Sequence, residues 1–207
     1  MAPLQMANPD GLPDRLQQLF TRQYDLPPGQ PVSDFLISEP NLARALGARP
    51  SQSPEQLLLL QEEDALNLSL YLDAGLFKSP LSLNSYLTVA EGVSHFTYIS
   101  YCARHDRSTS QLELELQAEV DKFFASAGSP EMSLSELHQL LFEKVRYREH
   151  LSAQERDRYA AANRMAASLC QQWISRYGDN IRHPCWQADA RRFYRLPAQR
   201  KMRRARA

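Results

Sequence analysis

Three times in the second half of the chain a serine stands three residues ahead of a glutamate and opens an apolar run at helical spacing. The pairs are Ser110 with Glu113, Ser133 with Glu136, and Ser152 with Glu155. In such a box the serine oxygen takes a backbone N–H that the first helical turn leaves free, and the glutamate reaches back to the N–H of the cap. The runs that follow are Leu112, Leu116, Val120 and Phe123; then Leu134, Leu137, Leu141 and Val145; then Tyr159, Ala162, Ala166, Leu169, Trp173 and Tyr177, with Gly178 as the stop. A further helix is expected over 83–104, with Leu87, Ala90, Val93, Phe96, Ile99 and Cys102 on its face. Short connections favour antiparallel neighbours. The expected fold is mainly α, a helical bundle of about four long helices.

The first third of the chain reads differently. Residues 1–11 are expected to fray. Pro13 opens a short helix bearing Leu12, Leu16, Leu19 and Phe20. Three prolines between Leu26 and Pro31 require a loop. A short helix around 34–46 is expected to end at Gly47, and 48–54 forms a second loop. Residues 55–73 admit two readings. Ser53-Pro54-Glu55-Gln56 has the form of a helix start. Against it, Leu66, Leu68, Leu70 and Leu72 alternate with Asn67, Ser69 and Tyr71, the period of a strand with one buried face. The alternation is preferred, with 57–61 as the partner strand and the acidic segment 62–65 as the turn. A small N-terminal β-hairpin over 57–72 therefore accompanies the bundle.

The resulting map has an N-terminal region over 1–81, the bundle over 82–181 and a basic C-terminal tail over 182–207, within one globular domain. Hydrophobic residues make up 43% and charged residues 23%, ordinary globular usage. Net neutrality hides an asymmetry. Residues 182–207 hold nine Arg or Lys and one acid, a net of +8, which leaves −8 on residues 1–181. The cysteines, Cys102, Cys170 and Cys185, are odd in number and widely spaced, so a disulfide framework is not expected. The longest leucine run, 57–60, falls far short of the roughly 20 apolar residues a membrane span needs. A cytoplasmic protein without a membrane span is expected.

Glu91 and His95 lie four apart on one helix, and Glu115 and Glu119 repeat the spacing on the next. Side chains at that spacing share a face. If the helices pack antiparallel, the four form a candidate metal site, and Glu91, His95 and Glu119 become candidate acid–base residues. A hydrogen-bonded core histidine and solvated glutamates are the simpler account. Neither the sequence nor its spacing names a cofactor. His183 and Cys185 are too close in sequence, across Pro184, to make a good nucleophile–base pair. Arg146, Arg148, Arg156, Arg158 and Arg164 cluster as a weak anion-site candidate, but acids are interleaved with them.

The strongest compositional feature is the tail. Arg191, Arg192, Arg195, Arg200, Lys201, Arg203 and Arg204, with Phe193 and Tyr194 among them, are candidate nucleic-acid or anion contacts. Residues 198–207 are expected to stay outside any core. Three function classes follow. The first is a non-enzymatic interaction or adaptor protein presenting a helical surface to a protein partner, or to another copy in a homo-oligomer. The second is a nucleic-acid-associated protein using the tail. The third is a metal-dependent or acid–base enzyme built on Glu91, His95 and Glu119.

Overall fold

A computed structural model of the protein describes residues 11–62, 65–127, 132–145 and 151–206, with the side chains of 61, 62, 65 and 66 left aside. Residues 1–10 of the segment expected to fray, residues 63 and 64 of the turn expected over 62–65, and Arg146 and Arg148 lie outside the described residues. The fold is mainly α with a small β element. Two compact units divide it: one holds the chain up to Phe20 and Pro27–Arg107, the other Thr21–Leu26 and Ser108–Ala207.

The helix α1 (Leu12–Tyr24), whose residues up to Phe20 belong to the first unit, buries Leu12, Leu16 and Phe20, as its spacing requires. Gln17 fastens the proline loop, donating to the Gln30 carbonyl at 2.9 Å and accepting from Val32 N–H at 2.8 Å. A 3-10 turn over Val32–Phe35 leads to β1 (Leu36–Ile37) and then α2 (Pro40–Ala45). The helix expected around 34–46 is thereby corrected. Proline is tolerated only in the first turn, so the helix starts at Pro40, with Glu39 accepting from Leu42 N–H at 2.6 Å. That N–H holds the exposed Glu39 carboxyl below the usual carboxylate range.

The hairpin is present. β2 (Glu55–Glu62) pairs antiparallel with β3 (Ala65–Leu72), with Leu57 opposite Leu70 and Leu58 opposite Ser69. β1 adds in parallel on the other side of β3, giving the order β1-β3-β2. Two residues carry no periodicity, so β1 was not visible in the sequence. Both sheet faces are covered near the base of the hairpin. Leu70 lies beneath α3 (Leu83–Ala103), while Tyr71 packs on the opposite face with Ile37, Ala43, Ala48 and the half-buried Leu58.

Close approach of α3 to the sheet depends on Gly92. A Cβ there would stand 2.7 Å from Glu55 Cγ and 3.1 Å from Leu70 Cδ1. Gly92→Ala gains about 1 kcal/mol of helix propensity, but overpacking costs about 1–3 kcal/mol. The substitution is expected to lower the thermal midpoint despite the better helix former. A raised midpoint would show that Glu55 moves clear at no cost.

The second unit contains α4 (Gln111–Ser126), α5 (Leu134–His138), α6 (Ala153–Tyr177), α7 (Pro184–Arg195) and α8 (Ala198–Arg206). Ser133 and Ser152 form complete capping boxes. Ser110 accepts from Glu113 N–H at 3.2 Å, while the Glu113 carboxylate receives the Thr109 hydroxyl at 3.2 Å. Ser152→Ala is expected to cost about 1 kcal/mol. Urea unfolding measures it, and an unmoved midpoint would mean the cap contributes nothing.

The expected long third helix is corrected. α5 spans five residues and continues as a π-helical turn over Gln139–Glu143, and Val145 is exposed. Beyond Leu141 the apolar stripe has only Val145 before the sequence turns to Arg148 and Glu149, too little to bury another turn. The core is aromatic. Trp173 lies 5.8 Å from Phe124, 5.9 Å from Phe193 and 6.4 Å from Trp186, centroid to centroid.

The expectation that 198–207 stays outside the core is also corrected. α8 buries Lys201 and Ala205, four residues apart on one stripe. Composition misleads here because a lysine can enter a core where acceptors await its ammonium.

Candidate interaction surface

Apolar side chains open to solvent concentrate in the first unit. Among the described residues the exposed large hydrophobics are Leu42, Leu46, Leu59, Leu60 and Val145, and the first four belong to that unit. Leu59 and Leu60 are 52% and 55% exposed, and Leu42 and Leu46 about as open at 52% and 49%. α2 turns Ala43 onto the sheet, which leaves Leu42 and the C-cap Leu46, four apart, facing outward. Leu60 lies two residues beyond Leu58, on the sheet face that α2 covers. Leu59 lies on the other face. β2 is an edge strand among the described residues, so its outer backbone groups have no strand beside them.

The basic candidates divide into structural and free groups. Arg195 donates to the carbonyls of Tyr24 and Asp25, both at 2.9 Å, and so caps the end of α1. Arg191 donates to the Gln23 carbonyl at 3.2 Å, and Arg204 to Gln172 Oε1 at 2.6 Å. Lys201 donates to Gln117 Oε1 at 2.7 Å and to the Tyr194 carbonyl at 3.3 Å, with its ammonium 5.0 Å from the Phe193 ring centre. Arg192, Arg200, Arg203 and Arg206 are exposed, the last three at every third position of α8.

Lys201 completes a buried polar network. Gln117 donates to the Tyr24 hydroxyl at 3.1 Å and to Asp121 Oδ1 at 2.8 Å, and Tyr24 donates its proton to the same carboxylate oxygen. Burial, then the Asp121 charge, pushes the Tyr24 phenol well above its usual range, which keeps it a donor. Tyr24 also stacks on Tyr194, centroids 4.1 Å apart. Gln117 and Asp121 were missed in the sequence, although their spacing of four within a capped helix was a usable signal.

The four metal candidates fall two in each unit. Glu91 is half-buried and His95 buried. His95 Nδ1 stands 3.6 Å from Oε1 of Glu55, a residue read in the sequence only as part of a helix start. In the second unit Glu115 faces Arg158 Nε at 3.6 Å. Glu119 accepts from Lys122 at 2.8 Å. Its charge adds to burial in raising the Cys170 thiol well above its usual value. No group of three or more His, Cys, Asp or Glu that could hold a metal occurs among the described residues. His183 Nδ1 accepts from Cys185 N–H at 3.2 Å, so this imidazole caps α7. Arg156 and Arg164 are exposed. No helix among the described residues is long and apolar enough to cross a membrane.

Comparison with family models, with curated proteins and with solved structures finds no match for this chain.

Proposed function

We propose that this is a non-enzymatic interaction protein that docks a protein partner on the α2–β2 side of its first unit. The observation that carries this reading is the gathering there of Leu42, Leu46 and Leu60, next to an open strand edge. Single exposed leucines are ordinary, but a group of them beside unpaired backbone is a surface a partner can cover. Only part of the surface is helical, since α2 supplies two leucines and β2 the rest. Affinity capture with tagged wild type and with a Leu42→Asp/Leu46→Asp variant tests it. Proteins kept by the wild type and lost by the folded variant support the reading, and equal retention by both overturns it.

A second reading rests on Arg200, Arg203 and Arg206, which line one face of α8 with Arg192 also exposed. Such a row suits phosphates. Binding to DNA or RNA that weakens steeply with salt, and weakens again in Arg200→Ala/Arg203→Ala, supports it. No binding at low salt ends it.

A further inference from the structure

We infer that the outer edge of β2 pairs antiparallel with the same strand of a second copy of this chain, about a two-fold axis at Leu59. This rests on the interaction reading above and names the partner.

Among the described residues no strand pairs with the outer edge of β2, which offers a row of backbone donors and acceptors, so its natural occupant is another extended strand. Leu59 and Leu60 point to opposite faces of the sheet, and both are more than half exposed. An occupant that covers only one face therefore leaves one of them in water. A strand added in the plane of the sheet brings side chains to both.

Symmetry then restricts the register. A two-fold axis between antiparallel edge strands must run perpendicular to the sheet, so each face continues as the same face in the partner. Opposed residues consequently share a face, and the axis must pass through a residue rather than between two. Centred on Leu59, the pairing sets Leu59 against its own copy on the α3 side and Leu58 against Leu60 on the α2 side. Centred on Leu58, it would oppose the exposed Leu60 to the polar Gln56, whereas centring on Leu59 sets only the half-buried Leu57 against a glutamine, Gln61. The positions paired around Leu59, 57–61, read Leu-Leu-Leu-Leu-Gln and contain no charge to be set against itself. The strand is its own complement, as an isologous contact requires.

The test uses the full chain. Sedimentation over a concentration series is expected to show a reversible monomer–dimer equilibrium. Leu59→Lys, at an exposed position, should weaken it about tenfold or more, since lysine on an edge strand opposes pairing. Register is read by disulfide trapping in a Cys185→Ser background, because Cys185 is the exposed native thiol. Directly opposed residues have Cα atoms about 4.5–5.5 Å apart, within disulfide range. Leu59→Cys should therefore cross-link to its copy under copper-phenanthroline. Leu60→Cys, with its copy about 8 Å away by strand geometry, should not. A monomer at every concentration overturns the inference. So does a dimer that ignores Leu59→Lys, or one that cross-links through position 60 and not 59. A monomeric chain that still holds another protein through Leu42 and Leu46 overturns the homodimer alone and leaves the interaction reading standing.

Discussion

Replacing Lys201 with alanine is expected to destabilise the second unit by about 3–5 kcal/mol, since each hydrogen bond from a charged donor contributes about 1.5–3 kcal/mol. Two acceptors lose their donor, Gln117 Oε1 and the Tyr194 carbonyl, and a buried acceptor without a partner costs about 1–3 kcal/mol. The lysine stem also leaves a hole against Phe193 and Tyr194. Met at the same position keeps most of the volume, so it should cost less than alanine but more than a surface change. Both tryptophans of the chain lie in this unit, at positions 173 and 186. Their emission during urea unfolding therefore reports this unit by itself. Removal of 198–207 should be at least as damaging, because Ala205 leaves the core as well. A midpoint unchanged by Lys201→Ala would mean that water serves Gln117 as well as the ammonium does.

Trp173→Ala should be of the same size, about 3–5 kcal/mol, the usual cost of emptying a large aromatic site. Its ring is 1% exposed and packs against Phe124, Phe193 and Trp186, contributed by α4 and α7. Two elements, α4 and α7, lose their common neighbour, so relaxation cannot fill the space from one side. Trp186 remains to report unfolding. A cost below about 1 kcal/mol, the scale of a small core truncation, would show that α7 collapses into the gap.

Features decided within a few residues were legible in the sequence. The serine caps were, because a cap is a hydrogen bond across three positions. So was β3, because seven residues alternate. Features decided by distant partners were not. β1 exists only because β3 lies beside it. Glu55 looked like the start of a helix, and its neighbour His95 comes from forty residues away. Lys201 looked like part of a solvated tail until Gln117 and Tyr194 appeared around it. The candidate interaction surface is half legible in the sequence. The run Leu57–Leu60 stands out by its hydropathy, but which of those leucines remain open depends on where α2 and α3 cover the sheet.

The buried network also sets a waiting time. Tyr24 emerges from the ribosome long before its partners. Gln117 follows 93 residues later, and Lys201 another 84 residues after that. At about 5–20 residues per second, roughly ten to thirty-five seconds of synthesis separate the first member from the last. Throughout that interval the last turn of α1 belongs to a unit that has not yet been made. Expressing residues 108–207 alone would omit Tyr24 and leave Asp121 without the hydroxyl that faces it. The second half of this gene is thus a poor place to draw a boundary, even though nearly all of the second unit is encoded there.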